Sequence, residues 1–318
     1  MIKNEEQFIR FLSKNYDSIN KLPSGWLGIG DDTAIVNVDS DELFYCADAL
    51  VQDVHFRKNT SLYNVGWKAI VSNQSDIAAM GGKPLAFTIT LGINKQVSEK
   101  GLSDLYKGMD SACKKFGGYL VGGDVVKSKD FFISVSAIGK RFIKDKTLQR
   151  DSAKSGDVVA VTGEIGNSIA GFELLENNSN ISNKQTKKFL EPVPKIIEGK
   201  LAIEEGIICG MDISDGLHKD LKRICESSNV KIEIDFEKIP YDKFLESYFN
   251  DDFYNKIITS GEEYELILIA PISKIKSLGK KIDISIIGKV TDNKNPEIVF
   301  YKNNKKINLT SESFDHFG

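Results

Sequence analysis

The stretch KRFIKDKTLQRDSAKSGDVVAVTG, residues 140–163, passes from a polar, charged segment into an apolar run of strand length. Its first part, up to residue 156, is poor in large apolar side chains, as segments between domains commonly are. A chain of 318 residues also exceeds the usual size of a single hydrophobic core. We therefore predict two domains, at 1–140 and 157–318, joined by a linker at 141–156.

Apolar runs of strand length alternate with longer segments of helical period on both sides of this linker, which is typical of α/β domains. In the first half, strands are predicted at 43–48, 85–91, 119–123 and 131–139, and helices at 4–16, 63–80 and 98–116. In the second half, strands are predicted at 157–163, 231–236, 264–270 and 283–290, and helices at 167–176, 195–207 and 216–227. The polar tract at 176–188 is expected to be a mobile insertion. The predicted fold class is α/β, of the α+β type, with helices packed on a mixed sheet in each domain.

The overall charge excludes several classes of partner. The 42 Lys and Arg residues against 45 Asp and Glu residues give a formal charge of −3, so no basic excess indicates nucleic acid or an anionic membrane surface. No apolar run approaches the ~20 residues that span a bilayer. The amino terminus is charged from residue 3 and lacks the apolar core of a signal peptide. We expect a cytoplasmic protein with no nucleic-acid or membrane partner.

The cysteines and histidines are few and scattered. Four cysteines stand far apart without a CxxC pair, which speaks against a zinc site or a disulfide framework. Only three histidines are present, so an imidazole-rich metal centre is not indicated either. A metal ion bound to this chain would need oxygen ligands.

Aspartates recur at strand ends or beside glycine. Asp31 and Asp32 lie in GIGDDTAIV, residues 28–36, just after a glycine. The other members of this set are Asp48, Asp76, Asp124, Asp212 and Asp215. The ends of strands are where α/β folds place their ligand sites. Taken singly, each aspartate is equally well explained as a turn residue or a helix cap.

As a set, the aspartates point to a metal-dependent site. Several carboxylates in one cleft would repel each other and raise each other's pKa unless cations were present. Magnesium that carries nucleotide phosphates removes that penalty. A loop of the form GxxxxGK[ST] is absent from the sequence. The stretch GEIGNSIAG, residues 163–171, is explained either by an anion bound to its amides or by a tight turn between strand and helix.

Seven sequence blocks carry a family resemblance over residues 28–317. They are GIGDDTAIV, DALVQDVHF, SDIAAMGG, VGGD, DISDGL, SGEEYEL and FDHF. In this order they resemble the motif set of the thiamine-monophosphate kinase family, which is related to aminoimidazole ribonucleotide synthetase and selenophosphate synthetase. The resemblance implies a two-domain protein that dimerises through its amino-terminal sheets and binds ATP and several magnesium ions between the domains. It implies ATP-dependent phosphorylation of thiamine monophosphate to thiamine diphosphate by magnesium-assisted in-line transfer, with no side chain as proton carrier.

The same resemblance assigns residues to three groups. The metal ligands it implies are Asp32, Ala47 through its carbonyl, Asp48, Asp76, Asp124, Asp212 and Asp215. The nucleotide contacts it implies are Tyr106, Gly123, Asp124, Arg150 and Ser214. The substrate contacts it implies are His55, Glu262 and Phe314. Phe314 or Trp26 would offer an aromatic face to the thiazolium cation of the substrate.

Some of these residues also have ordinary structural explanations. His55 lies between two apolar residues and reads equally as a half-buried structural histidine. Glu262 reads as one of two solvated acids, and Phe314 as an anchor for the carboxy-terminal tail. Tyr106 falls within a helical period and reads as a core residue, while Arg150 in the linker reads as a surface cation.

The chain departs from the family pattern where Ser-Thr usually precedes the aspartate of the second block. It carries Cys46 and Ala47 there, so two hydroxyls are missing and the number of magnesium ions stays open. Val125 and Val126 likewise replace hydroxyl residues after Asp124. Two other functions therefore remain as alternatives: another ATP-dependent synthetase of the superfamily, or a catalytically inactive protein that binds nucleotide and thiamine phosphate. A selenophosphate synthetase should carry a reactive Cys before residue 40, and this chain has none there.

Overall fold

The computed structural model describes residues 22–28, 30–38, 41–95, 97–177, 184–292 and 296–307. Its strands form a sheet of five strands from the first half of the chain and a sheet of seven from the second half, with helices packed on both. The predicted mixed α/β fold class is confirmed. The helix predicted at 4–16 lies outside the described residues.

The first sheet consists of β1 (Ala34–Val38), β2 (Asp41–Val51), β3 (Gly82–Ile93), β4 (Tyr119–Lys127) and β5 (Phe132–Arg141). The strands lie in the order β1-β2-β5-β3-β4, and β3 and β4 run parallel while the other pairs are antiparallel. The four strands predicted in this half are all present. However, β2 and β4 continue past Asp48 and Asp124, so the prediction that these two residues end their strands is wrong. Strand β4 lies at the edge of the sheet, and most of its residues are exposed.

Two helices, α1 (Leu62–Ala79) and α2 (Glu99–Phe116), pack closely against each other. A Cβ atom at Gly66 would lie 2.0 Å from the carbonyl oxygen of Leu105, and one at Gly108 would lie 1.9 Å from a carbonyl oxygen of α1. Any side chain at either position would push the helices apart, so this crossing requires glycine at both.

The second sheet consists of β6 (Val158–Thr162), β7 (Cys209–Asp212), β8 (Lys231–Asp235), β9 (Leu266–Ala270), β10 (Ile284–Thr291), β11 (Glu297–Lys302) and β12 (Lys305–Lys306). Their order is β12-β11-β8-β10-β6-β9-β7, so the fully buried strand β9 lies next to the edge strand β7. Strands β6, β8, β9 and β10 were predicted from their apolar runs. Strand β7 is only four residues long and was not predicted, although it ends at Asp212.

The helices of the second half are α3 (Asn167–Glu176), α4 (Lys184–Leu190), α5 (Ile196–Glu204), α6 (Leu217–Ser228), α7 (Phe244–Phe249), α8 (Phe253–Thr259) and α9 (Ile272–Leu278). Helix α4 begins in the tract 176–188 that was expected to be a mobile insertion, and for residues 184–188 that expectation is wrong. Phe189 of α4 packs against Phe172 of α3 with ring centroids 5.5 Å apart, which fixes the helix to the second half. Across the described ranges, no helix has the length and apolar character needed to cross a membrane.

Helix α1 joins the two halves of the molecule. The indole nitrogen of Trp67 donates to the carbonyl of Pro192 at 2.9 Å, and the hydroxyl of Ser75 donates to Asp212 at 2.6 Å. At its end, Ala79 belongs to a buried cluster that contains Leu266 of the second sheet. Side chains of α1 therefore contact residues of the second half directly, between the two sheets.

Candidate active site

One face of helix α1 points toward the site. Ser72 lies four residues after Lys68, and Ser75 and Asp76 lie three and four residues after Ser72, so the four residues share one side of the helix. With a rise of 1.5 Å per residue, Lys68 and Asp76 lie about 12 Å apart along this face. The face therefore has an acidic end at Asp76 and a basic end at Lys68.

Three carboxylates from distant parts of the chain meet at the acidic end. Asp32 precedes β1, Asp76 lies on α1 and Asp212 ends β7, and each offers an oxygen within 4.8 Å of the other two. One oxygen of Asp212 accepts the hydroxyl of Ser75 at 2.6 Å. Asp32 Oδ2 and Asp212 Oδ1 are buried and have no hydrogen-bond partner in the described structure. We call these three residues the acidic triad.

The acidic triad is electrostatically unfavourable without a cation. Burial raises the pKa of Asp76 well above its usual range, and the charges of Asp48 and Asp212 raise it further. Burial also raises the pKa of Asp212, and the charge of Asp32 adds to this shift. Two buried, unpartnered carboxylate oxygens beside a third carboxylate form a donor set that suits a hard divalent cation such as magnesium.

These shifts predict how the stability of the cation-free protein depends on pH. A carboxyl group with a raised pKa in the folded state binds its proton more tightly when folded, so its contribution is complete below the unfolded pKa near ~4. That contribution is lost as the pH rises through the folded pKa, which for the neighbouring Asp31 is about 7. We expect the melting temperature in a chelator to fall between about pH 5 and about pH 8.

Added magnesium should raise the melting temperature more at about pH 8 than at about pH 5, because protons compete with the cation for the carboxylates. Differential scanning calorimetry with chelator or magnesium measures both trends. The Asp212→Asn variant is the control, since it should show a weaker pH dependence. A cation-free melting temperature that rises across this pH range would contradict the prediction.

Arg150 ties the acidic end to the segment between the two sheets. Its Nη2 atom donates to Asp32 Oδ1 at 2.7 Å, and its backbone N–H donates to Asp31 Oδ2 at 3.2 Å. The Arg150 side chain is only 14% exposed, so the alternative that it is a surface cation is wrong. Burial raises the pKa of Asp31 to about 7, as does the charge of Asp32, while Arg150 opposes the shift.

Asp215 lies in the turn after β7 and is held by two cations. Arg223 donates to it at 2.6 Å and Lys219 lies 3.0 Å away, and these charges lower the pKa of Asp215 although its burial acts in the opposite direction. Helix α6 follows from Gly216, so neither Ser214 nor Asp215 is its N-cap. Asp220 instead accepts the backbone N–H groups of residues 214, 215 and 216 at 3.1 Å each.

Strand β2 brings the block around Asp48 to the site. Ala47 and Asp48 both line the cavity described below, whereas the thiol of Cys46 is buried 3.8 Å from the side-chain oxygen of Asn73. Burial raises the pKa of Asp48; a hydrogen bond from Ser72 opposes this shift, and the charge of Asp215 adds to it. Ala47 has no side-chain oxygen, so its predicted role as a ligand depends on its backbone carbonyl.

A cavity of about 870 Å³ lies between the two halves. Asp48, Asp76 and Arg223 line it near the acidic end. His55, Phe172, Phe189 and Glu262 also line it. A smaller cavity of about 320 Å³ shares His55, Phe172 and Phe189 with the first one. The volume of the larger cavity suits a small-molecule site.

Two of the three predicted substrate residues line the large cavity. His55 is half-buried, and its Nδ1 accepts the backbone N–H of Val51 at 3.1 Å, so its proton resides on Nε2. Glu262 has a left-handed backbone with φ of 55° and forms an ion pair with Lys68 at 3.0 Å, so it is not a freely solvated acid. Phe314 lies outside the described residues.

Other predicted residues lie away from both cavities. Tyr106 on α2 is 40% exposed, so the alternative that it is a core residue is wrong. Gly123 and Asp124 lie on the exposed edge strand β4, where Asp124 accepts the backbone N–H of its neighbour Val125 at 2.8 Å. Neither these three residues nor Trp26 lines a described cavity. Their roles in nucleotide, metal or substrate binding remain predictions.

The anion site considered for GEIGNSIAG is filled by the chain itself. Glu263 is fully buried, and its Oε1 accepts the backbone N–H groups of Gly166 at 2.8 Å and Ser168 at 3.1 Å at the start of α3. The hydroxyl of Ser260 donates to the same oxygen at 2.6 Å. The amides of Gly166 and Ser168 are thus occupied by a side chain of the chain itself, which favours the tight-turn alternative.

Sequence reasoning missed two residues that line the cavity, Phe189 and Arg223, and also Lys68, which contacts two of its lining residues. Lys68 could have been found, because a lysine two turns before Asp76 on the same face of an apolar helix is unusual. Arg223 follows the DISDGL block by two turns of α6, but charges of this kind are common on exposed helix faces. Nothing in the tract around Phe189 indicates a site.

Comparison with known proteins gives matches over nearly the whole chain. Residues 30–140 match the AIR synthase related protein N-terminal domain, and residues 154–300 match the C-terminal domain. A thiamine-monophosphate kinase from Buchnera aphidicola subsp. Schizaphis graminum is 34% identical over 99% of both chains. One from Pyrococcus horikoshii is 33% identical over 95% of this chain and 92% of its own. The solved structure of AaThiL complexed with AMPPCP and TMP is 30% identical, with a TM-score of 0.86 over 98% of this chain and 97% of that one.

Proposed function

Because the chain belongs to the AIR synthase related proteins and, within them, to the thiamine-monophosphate kinases, we propose that it transfers the γ-phosphoryl group of ATP to thiamine monophosphate. The products are thiamine diphosphate and ADP. The similarity to AaThiL, solved with AMPPCP and TMP, supports both substrates. Within this chain, the observation that carries the proposal is the acidic triad, with two unpartnered buried oxygens, beside a cavity of about 870 Å³.

The acceptor requires no general base. A phosphate monoester has its second pKa near ~6, so the attacking oxygen is already ionised at neutral pH. Consistent with this, His55 uses its Nδ1 atom to accept a backbone N–H. The described residues around the cavity therefore bind and orient the reactants and are not needed to remove a proton.

The obstacle to the reaction is repulsion between two anions. Two unit charges ~4 Å apart repel by about 4 kcal/mol at an effective dielectric constant near 20. Asp32, Asp76 and Asp212 would hold magnesium, with Asp48 beside them, and the ion would neutralise phosphate charge and favour the in-line geometry. Arg223 lines the cavity, and its guanidinium group adds positive charge there. Arg150 holds the Asp32 carboxylate in place through its hydrogen bond to Oδ1.

Asp215 needs to exchange partners before it can act as the metal ligand that the family resemblance implies. It is held by Arg223 and Lys219, and a phosphate group entering the cavity would compete for both cations. We propose that nucleotide binding frees Asp215 in this way, with Ser214 beside the nucleotide. We also propose that the nucleotide contacts Tyr106, Gly123 and Asp124, as the family resemblance implies.

The decisive experiment measures ADP release by the purified protein with ATP, with magnesium or a chelator, and with or without thiamine monophosphate. We expect release only when both magnesium and thiamine monophosphate are present, and ³¹P NMR should show thiamine diphosphate as the product. Binding of both ligands without turnover would favour the inactive-protein alternative. ADP release with a different acceptor, tested in parallel, would favour another synthetase of the superfamily.

We expect Asp124→Asn to lower the turnover number strongly while leaving the melting temperature within about 1 °C of wild type. The residue is exposed on the edge strand and its side chain bonds to its own neighbour, so the substitution costs the fold little. Steady-state kinetics and calorimetry on the same preparation measure both effects. Near-normal turnover would remove Asp124 from the proposed metal ligands.

The first sheet also supports a homodimer. Tyr119, Val121 and Val125 on the edge strand β4 are 77%, 62% and 59% exposed, an unusual apolar surface on an unpaired strand edge. We propose that a second copy of the chain covers this sheet. Sedimentation equilibrium should give twice the chain mass of 35.3 kDa, and a Val121→Lys variant should shift the protein toward monomer. A monomeric wild-type protein at micromolar concentration would contradict the proposal.

The domain division and the compartment are proposed on similar grounds. One hydrophobic cluster lies within residues 35–137 and another within residues 153–300, which supports a division into domains at 1–140 and 157–318 joined by residues 141–156. Limited proteolysis should then cut first near that linker, and earlier cuts inside either sheet would count against it.

All four cysteines are buried free thiols, which suits the reducing cytoplasm as the compartment in which the protein works.

A further inference from the structure

Lys68 is a buried lysine that lies about two turns before Asp76 on α1. Its side chain is 6% exposed, although it lies on a helix whose neighbouring positions are apolar. A buried ammonium group is costly unless it is paired with other groups. The groups that it contacts, Glu262 and Phe189, both line the large cavity.

The first partner of Lys68 is the carboxylate of Glu262. The Nζ atom donates to Oε2 at 3.0 Å, and the Glu262 side chain is 30% exposed to the cavity side. Glu262 adopts a left-handed backbone, and its N–H donates to the carbonyl of Ser214 at 2.7 Å. The backbone of Glu262 is therefore held beside the turn that follows β7, and Lys68 orients its side-chain carboxylate.

The second partner is the ring of Phe189. The Lys68 Nζ atom lies 3.5 Å from the ring centroid, a close cation–π contact. Phe189 packs on Phe172, and the guanidinium of Arg57 lies 5.5 Å from the Phe172 centroid. The two rings, tilted by 52° to each other, thus lie between two cations and line both the large and the small cavity.

The position of this group along α1 fits the length of the acceptor. Lys68 and Asp76 are eight residues apart on one helix face, which corresponds to about 12 Å. A substrate whose phosphate lies at the acidic triad would place its ring system, at the other end of the molecule, near Phe189 and Glu262. Lys68 itself would touch these two side chains and not the reacting phosphates.

We propose that Lys68 is a positioning residue that fixes Glu262 and Phe189 as the wall against which the cationic ring system of the acceptor binds. This inference depends on the proposed function for the identity of the acceptor. Lys68 then contributes to the affinity for the acceptor and does not take part in the chemical step. The ion pair also prevents Glu262 from turning into the cavity as an unpaired carboxylate.

The Lys68→Met variant distinguishes this role from simple charge attraction. If Lys68 positions the wall, its loss lets Glu262 and Phe189 change orientation, and the KM and Kd for thiamine monophosphate rise about tenfold or more. The turnover number and the KM for ATP should stay within about threefold, because the interaction is uniform binding remote from the transferred group. If the lysine only neutralises Glu262, its removal would strengthen binding of a cation, and a lower KM would overturn the proposal.

A double-mutant cycle tests whether Lys68 acts through Glu262. With Glu262→Gln as the second change, Lys68→Met should weaken acceptor binding less than it does in the wild-type protein, because only the contact with Phe189 remains to be lost. Independent, additive losses would overturn this route. Phe189→Leu keeps Lys68 in place and should also raise the acceptor KM, so the test stands even if Lys68→Met does not fold. An acceptor KM within about twofold of wild type in Phe189→Leu would overturn the proposal.

Lys195→Met is the matched control. Lys195 pairs with the buried Glu265 at 3.0 Å and its side chain is 16% exposed, but neither residue lines a described cavity. The variant should lower the melting temperature without changing the acceptor KM, and an equal rise in KM there would overturn the proposal. Isothermal titration calorimetry with thiamine monophosphate separates the two hypotheses. Binding without turnover in wild type refutes the proposed function and still tests Lys68 by its Kd, whereas no binding in wild type refutes both.

Discussion

We expect Asp212→Asn to reduce phosphoryl transfer by at least about 10³-fold and to make the cation-free protein more stable than wild type. The activity estimate follows from one lost charge interaction of about 4 kcal/mol at ~4 Å, with a factor of ten in rate for each 1.36 kcal/mol. Stability should rise because the substitution removes one of three buried carboxylates that meet within 4.8 Å. Asn can still accept the hydroxyl of Ser75, and its amide can donate to the acidic neighbours.

The size of this stabilisation should be about 1–3 kcal/mol in a chelator. Magnesium should stabilise wild type and have little effect on the variant, since a ligand raises stability only through binding to the folded state. Urea unfolding with chelator or magnesium gives both values, and steady-state assays give the activity. A variant that is active, or that is less stable than wild type in chelator, would contradict the role of the acidic triad.

Asp220→Asn is the matched control for this prediction. Asp220 is fully buried in the segment just after Asp212, but its oxygens accept three backbone N–H groups and the guanidinium of Arg223 at 2.9 Å. An amide in its place would bring an N–H group toward donors, so this substitution should lower stability with or without magnesium. In chelator, the free energy of unfolding should rise in Asp212→Asn and fall in Asp220→Asn. This difference would show that unpartnered oxygens, and not burial alone, distinguish the acidic triad.

The second large effect is expected for Arg150→Met, which should lower the free energy of unfolding by about 3–5 kcal/mol and abolish activity. Arg150 forms ion pairs with Asp31 at 3.7 Å and with Asp32 at 2.7 Å, and all three side chains are largely buried. Its removal leaves two adjacent buried carboxylates without their partner. Urea unfolding near neutral pH measures the loss of stability.

Two further variants make this prediction specific. Arg150→Lys keeps the charge but cannot reproduce the planar guanidinium contact, so it should lose only part of the stability. Asp32→Asn in the Arg150→Met background should restore some stability, because it removes one of the unpaired charges. A loss below about 1 kcal/mol in Arg150→Met would indicate that the pair behaves like an exposed ion pair.

Much of the fold was readable from local pattern. The apolar runs that became β6, β9 and β10 and the helical period that became α1 lie where the sequence predicted them, since side-chain periodicity reflects the surroundings of neighbouring residues. Short or polar elements were missed: β7 has four residues, and α4 lies in a tract rich in Asn and Lys. In both cases packing against the rest of the chain, and not local pattern, decides the structure.

For the site, the sequence indicated which residue types take part, whereas the tertiary structure decided their positions. The sequence indicated that acids gather around a cation, and the structure brings Asp32, Asp76 and Asp212 together. It keeps Asp124 on an exposed edge strand, although the strand itself was predicted. The sequence could not tell which carboxylates are partnered, since Asp215 has two cations and Asp212 has an unpartnered oxygen.

By itself, the sequence determined the alternation of strands and helices, the acidic character of the site and the family, because these depend on residue type and on spacing along the chain. Only the tertiary structure decided that Ser75 meets Asp212 across 137 residues and that Lys68 meets Glu262 across 194. Contacts over such separations depend on how α1 packs between the two sheets. The raised pKa values of Asp76 and Asp212 follow from that packing, because burial is their main cause and the charges of residues distant in the sequence add to it.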